Sequence, residues 1–229
     1  SYGGNIERVT VHGHFTYYSV APSDPYELVT GPDNALWFTA AETGSGGVIG
    51  RITTAGALTS FAVSAETVGI AAGSDGALWF TEPYANRIGR ITTSGEITEY
   101  SKGINSPFAI APGPDGALWF TENVSATNGG NAIGRITTRG RVTVYSKGID
   151  PLEVPIDIAA GPDNAMWFTE TEFGPYSAAE IGRISMDGKI MQFSNHLDPQ
   201  GSPSAITAGP DGRMWFIESN ADRTGRVTP

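Results

Sequence analysis

The groups in this sequence best placed to do chemistry are carboxylates that return at one register. Glu82, Glu122, Glu170 and Glu218 each close a copy of the same decapeptide, at 73–82, 113–122, 161–170 and 209–218, and Ala40 holds the equivalent place in 31–40. Converging carboxylate oxygens suit hard cations such as Mg²⁺ or Ca²⁺. Each copy has Asp at its third position. A hairpin symmetric about that Asp sets Glu82 opposite Val68, Glu122 opposite Phe108, Glu170 opposite Ile156 and Glu218 opposite Ser204. The expectation is a ring of carboxylates at one end of the molecule, near the mouth of a central channel, with Glu122, Glu170 and Glu218 as binding residues. A solvated rim of charge is the alternative.

Other catalytic chemistry has less to draw on. His12 and His14 flank Gly13 at a hairpin tip and His196 lies in a loop. Cysteine is absent, which removes thiolate nucleophiles, disulfides and Cys-ligated zinc. Neither a serine nucleophile elbow nor a phosphate-cradling loop before a helix can be picked out.

The elements that must position these carboxylates are strands. The decapeptide, written Gly-Pro-Asp-Gly-Ala-Leu-Trp-Phe-Thr-Glu in its third copy, runs from a turn tetrapeptide into aromatic and β-branched residues, the pattern of a hairpin tip and a buried strand. All five tryptophans occupy one place in it. Trp37, Trp79, Trp119, Trp167 and Trp215 are separated by 42, 40, 48 and 48 residues, the length of a four-stranded propeller blade. Within a unit, strand A precedes the turn and strand B carries Trp-Phe. Strand C carries Ile-Gly-Arg and strand D follows a further turn.

The chain therefore reads as one all-β domain over 1–229, a β-propeller of about five blades or a segment of a larger ring. It has a partial blade at 5–20 and repeats at 26–63, 66–101, 106–146, 154–194 and 202–228. The segment 6–19 aligns without a gap on 88–101, so the chain opens with strands C and D. A five-bladed ring closes if these complete the blade begun by the last A and B strands, although residues 6–11 and 224–228 then compete for one strand-C slot. Closure between chains, by self-association, is the other solution.

Repetition also gives the recurring residues a structural reading. Trp and Phe pack blade against blade. The Arg of Ile-Gly-Arg bonds backbone or an acid of the next blade, and the turn Asp bonds nearby backbone N–H groups. Function is expected in the loops that vary, 41–48, 123–131 and 171–180, presented to a peptide, glycan or protein.

A formal charge of -10, from 14 basic and 24 acidic residues, argues against nucleic acid, and the sequence has no apolar run long enough for a membrane helix. A soluble protein is expected, cytoplasmic or exported after removal of a leader.

The unit Gly-Pro-Asp-Gly-Ala-Leu-Trp-Phe-Thr-Glu, a short loop, then Asn-Arg-Ile-Gly-Arg-Ile-Thr-Thr-Ser-Gly-Glu-Ile-Thr-Glu-Tyr resembles the repeat of the virginiamycin B lyase, or streptogramin lyase, family. The resemblance covers nearly the whole chain. It implies a seven-bladed propeller, a magnesium ion, and opening of a cyclic depsipeptide antibiotic by elimination, hence antibiotic resistance. It further implies a Glu-Pro-His segment opening a strand A, in which the Glu serves the metal and the His is the base, with the Glu ending strand B also serving the metal. Carried over by position, the histidine place holds Tyr26, Val68, Phe108, Ile156 and Ser204, and the acid place holds Asp24, Glu66, Ser106, Val154 and Ser202. Only Glu66 with Glu82 reproduces the metal pair, and Tyr26 and Phe108 stand where a ligand would be contacted. With no histidine on any strand A, the alternative to a Mg²⁺-dependent lyase is a propeller that binds without catalysis, or a propeller segment or redesign.

Overall fold

The computed structural model describes residues 4–20, 23–42, 46–123, 130–150, 153–172, 179–198 and 201–229. Its first element is an antiparallel hairpin of β1 (Asn5–Val9) and β2 (Phe15–Ser19). Four four-stranded blades follow. Blade 1 is β3 (Asp24–Thr30), β4 (Leu36–Ala41), β5 (Gly47–Ile52) and β6 (Leu58–Val63). Blade 2 is β7 (Ile70–Ala72), β8 (Leu78–Glu82), β9 (Arg87–Ile91) and β10 (Ile97–Tyr100). Blade 3 is β11 (Pro107–Pro112), β12 (Leu118–Glu122), β13 (Ala132–Ile136) and β14 (Val142–Tyr145). Blade 4 is β15 (Glu153–Ala160), β16 (Met166–Glu172), β17 (Ala179–Ile184) and β18 (Ile190–Phe193). A three-stranded blade 5, β19 (Pro203–Ala208), β20 (Met214–Glu218) and β21 (Arg223–Val227), ends the series. Each sheet is ordered as the chain runs, A-B-C-D.

The hydrophobic core lies between blades. Trp79 and Ile88 of blade 2 pack with Leu118, Phe120 and Ile136 of blade 3, Trp119 with Met166 and Phe168 of blade 4, and Trp37 with Leu78 and Phe80 of blade 2. In blades 1 to 4 the strand-B Trp thus faces the following blade, and the strand-B Phe faces the preceding element. The first four tryptophans are at most 1 % exposed, so the expected packing role is what these rings do. Strand-D aromatics cover the outer side, with Trp37 stacked on Phe61, Trp79 on Tyr100, Trp119 on Tyr145 and Trp167 on Phe193. The glycine of Ile-Gly-Arg is forced by this packing, because a Cβ on Gly134 would run into the Phe120 ring directly across the ladder.

The A–B turns explain the alternation of Asp-Gly with Asp-Asn. The residue after the Asp is left-handed in every copy, at φ 58° for Asn34, 74° for Gly76, 75° for Gly116, 62° for Asn164 and 75° for Gly212, a region that only Gly and Asn enter cheaply. The Asp itself does more than bond the turn backbone. Its Oδ1 accepts the strand-B indole N–H at 2.9–3.1 Å in all five copies, and in blades 1 to 4 its Oδ2 accepts the strand-C Arg Nε at 2.6 Å. The sequence reading gives these arginines backbone or an acid of the next blade as partner, and the structure gives them neither. They are held within their own blade because Trp and Arg are direct cross-strand neighbours, as in Trp119 and Arg135.

The closed five-bladed ring is not what forms. The β1–β2 hairpin is a sheet by itself, packed on blade 1 through Ile6, Val20, Phe38 and Ile52, and does not pair with β19–β21. β1 and β21 therefore do not compete for one slot. The first hairpin is the outer half of a separate blade, and the six sheets follow one another as an arc.

Candidate functional site

The hairpin register differs from the symmetric one, and the difference moves every candidate residue. A β-bulge in strand A places two residues against one on strand B, so Glu122 faces Pro107, Glu170 faces Pro155 and Glu218 faces Pro203, not Phe108, Ile156 and Ser204. Ala40 likewise faces Pro25. The strand-B threonine stabilises the bulge. Thr39, Thr81, Thr121 and Thr169 each accept the N–H of the extra residue, Glu27, Gly69, Ala109 or Asp157. The first three also donate to a carbonyl of the next blade's strand A, at Val68, Phe108 and Ile156. A sequence symmetric in its hydrophobic pattern carries no mark of this inserted residue.

The strand-B glutamates do not make a solvated rim. Glu82 and Glu170 are fully buried, Glu122 is 3 % and Glu218 2 % exposed. Each is bonded within its own blade or to the segment entering it. Glu122 accepts the Asn105 N–H at 2.8 Å and Glu218 the Asp198 N–H at 2.9 Å, so both tie down the chain crossing into strand A. Burial pushes the Glu122 carboxyl up to about 7 against the opposing effect of the Asn105 N–H.

Of the expected metal pair, Glu82 is engaged by Arg87, with Nε 3.1 Å from Oε2 and Nη2 3.2 Å from Oε1. Desolvation raises the Glu82 carboxyl and the Arg87 charge opposes it. The guanidinium occupies the position a cation would take, so this pair as it stands does not suit Mg²⁺. Glu66 has a different partner. It accepts the hydroxyl of Tyr26, from the preceding blade, at 3.1 Å. Tyr26 is 57 % exposed, and its hydroxyl is raised above 10.0 by that hydrogen bond, by desolvation, and by the charges of Glu66, Tyr84 and Asp24. Tyr84, in the short 3-10 turn Pro83–Ala85 between β8 and β9, is 80 % exposed. Phe108 is half-buried in the next strand A.

The bulge exposes two further carboxylates that the sequence reading passed over. Glu27 accepts the N–H of Ile70 and Asp157 that of Ile206, each in the following blade. Glu27 is exposed as a residue, yet its carboxyl lies against the next strand, and this local desolvation pushes it up to about 7; the Ile70 N–H opposes the shift and the Asp157 charge adds to it. Asp157 is raised as well, by burial.

Blade 4 holds the one cluster of three acids, among the described residues, whose carboxylate oxygens could share a metal: Glu153, Glu170 and Glu180, within 4.8 Å of one another. Sequence reasoning found Glu170 alone. Burial, then the charges of Glu180 and Glu170, push Glu153 up to about 8, and burial pushes Glu170 to about 8.

None of the three histidines enters a strand A. His12 and His14 are exposed on the β1–β2 turn, and His196 is exposed in the turn after β18, where it helps line a cavity of about 370 Å³ beside β21. The variable loops fall largely outside the described residues, at 43–45, 124–129 and 173–178.

The family model for virginiamycin B lyases matches residues 1–229. The chain belongs to the virginiamycin B lyase family. Among solved structures, the virginiamycin B lyase of Staphylococcus aureus is 35 % identical, with 99 % of this chain and 75 % of that one aligned at a TM-score of 0.85. A catalytically inactive histidine-to-alanine variant of the same enzyme, with quinupristin, aligns at 35 % identity and TM-score 0.84 over 98 % of this chain and 74 % of that one. A streptogramin B lyase aligns at 33 % identity and 0.80 over 98 % and 72 %. A comparison with the curated proteins gives no match. Family membership fixes the propeller scaffold. The chemistry rests on the residues present.

Proposed function

We propose that this member of the virginiamycin B lyase family is a ligand-binding propeller that takes a cyclic peptide lactone of the streptogramin B type where strand A begins in blades 1 to 3. The observation that carries the reading is the inter-blade pair of Tyr26 and Glu66, with exposed Tyr84 close enough to perturb it. Exposed phenol rings give an amphipathic surface for an apolar macrocycle, and a carboxylate beside a hydroxyl engages its amides. The relative with quinupristin supports the ligand class.

Ring opening by elimination needs a base for the proton α to a carbonyl. The inner positions of strand A here are Tyr26, Val68, Phe108, Ile156 and Ser204, and the Tyr26 hydroxyl holds its proton above 10.0. These side chains support holding a lactone over cleaving it. The lyase reading draws on the 33–35 % identity to enzymes over nearly the whole chain. That reading would need Glu66 and Glu82 to hold Mg²⁺ as a Lewis acid for the carbonyl, and the Arg87 guanidinium on Glu82 opposes it.

Calorimetric titration of the protein with quinupristin tests the binding site. Tyr26→Ala and Glu66→Gln are expected to weaken binding by about tenfold each, the loss of one hydrogen bond to a charged group. Binding that both variants leave unchanged, or no binding to the parent, overturns the reading.

A further inference from the structure

The five blades treat one position differently, and the difference singles out blade 4. The residue facing the buried strand-B glutamate from strand C stands two places before the glycine of Ile-Gly-Arg. In blades 2 and 5 it is arginine: Arg87 faces Glu82, and Arg223 faces Glu218 with Nε at 2.6 Å from Oε2. In blade 1 no acid is present, and Val48 faces Ala40. In blade 3 Ala132 faces Glu122, whose carboxylate receives the Asn105 N–H. In blade 4 the residue is Glu180, directly opposite Glu170. The scaffold's own counter-charge has been replaced by a charge of the wrong sign, and like charges directly opposite on a ladder destabilise it.

A third carboxylate joins them from the other side. Glu153, 4 % exposed on β15, brings one carboxylate oxygen within 4.8 Å of one from Glu170 and one from Glu180. The Gln192 amide on β18 donates to both Glu153 Oε2 at 3.1 Å and Glu170 Oε2 at 2.8 Å, which fixes these two oxygens side by side. The other oxygen of Glu170, Oε1, is buried with no hydrogen-bond partner; Glu82 Oε2 in blade 2 also lacks one but has the Arg87 guanidinium at 3.1 Å, a cation that blade 4 does not supply among its described residues. A buried carboxylate oxygen left without a donor is costly, so the site as built lacks one component.

We propose that Glu153, Glu170 and Glu180 bind a calcium ion in the place that an arginine guanidinium fills in blades 2 and 5. The donors are all carboxylate oxygens, which select hard cations over zinc or copper. Three largely buried carboxylates suit Ca²⁺, which takes six to eight oxygens in flexible geometry, better than Mg²⁺, which keeps several waters and is held by one or two carboxylates. The ion joins strands A, B and C of blade 4 at the base of the connection that includes residues 173–178, and so couples Ca²⁺ to the stability of this blade. The site is separate from the Tyr26 and Glu66 surface, and either can fail without the other.

The test uses the whole chain, stripped with a chelator and followed by thermal unfolding and by calorimetric titration with CaCl₂, MgCl₂ and, for ionic strength, NaCl. Ca²⁺ is expected to raise the melting temperature by about 5 °C at a hundredfold excess over its Kd, with Mg²⁺ weaker and NaCl inert. Glu180→Arg installs the counter-ion of blades 2 and 5. It is expected to raise the melting temperature of the metal-free protein and abolish the Ca²⁺ response. Glu153→Gln keeps the shape and should weaken Ca²⁺ binding at least tenfold, which serves if the Arg variant does not fold. No heat and no shift with millimolar Ca²⁺, or a response that both variants retain, overturns the proposal.

Discussion

At the residue scale, the strand-B glutamate shows how one position acquires different chemistry from its neighbours. Glu82 and Glu218 are matched by arginine, Glu122 by a backbone N–H, and Glu170 by two further carboxylates. Glu122 yields a signed prediction. Its carboxyl is raised from 4.5 to about 7, so between those values the folded state holds a proton that the unfolded state has released. Its contribution to stability is therefore full below about 4.5, falls as pH rises through 7, and is flat above. Glu122→Gln keeps an acceptor for the Asn105 N–H without the charge. The variant should melt higher than the parent at pH 8 and close to it at pH 4.5. An equal shift at both pH values would mean that desolvation is not what raises this group.

At the element scale, the unit of construction is a hairpin locked by Asp, Trp and Arg and joined to the next by a threonine. Asp115→Ala removes the acceptor of the Trp119 indole and of Arg135 together, and leaves a buried N–H unpaired at a cost of about 1–3 kcal/mol. Asp211→Ala should cost much less, because in blade 5 Arg226 stands 3.7 Å away and half exposed. Denaturant melts of both variants measure the contrast; equal losses would contradict a lock that depends on burial. This level was largely legible in the sequence. The tryptophan period, the Gly/Asn alternation and the Ile-Gly-Arg motif gave strands, turns and order, because burial on a repeated scaffold forces repetition. The bulge was not legible, since strand A has no residue that marks it and its stabilising threonine lies on another strand. Glu180 was legible in principle. Read down the repeats, the column Val48, Arg87, Ala132, Glu180, Arg223 carries the charge reversal, but it signifies nothing until the register makes that column the neighbour of the glutamates.

At the scale of the whole molecule, the sheets form an arc whose two ends remain distinct. The fifth copy of the bridging threonine is Ile217, 46 % exposed, and Trp215 lacks the strand-D ring that covers the other four tryptophans. A cavity of about 490 Å³ lies between β1–β2 and blade 1, and the one beside β21 lies at the other end. Unpaired edges of this kind favour association, so light scattering on this chain should show a mass that rises with concentration. A monomer at every concentration would contradict that. No helix among the described residues is long and apolar enough to cross a membrane. The propeller is shared with lyases, whereas the inner ends of its strands carry a phenol, a phenyl ring, two aliphatic groups and a serine where the resemblance places an imidazole. The most direct measurement is chromatography with mass detection after prolonged incubation of the protein with quinupristin and Mg²⁺. Antibiotic recovered at its original mass and retention time is the result expected of a propeller that binds without opening the ring. A product of the same mass at a new retention time would show elimination and contradict it.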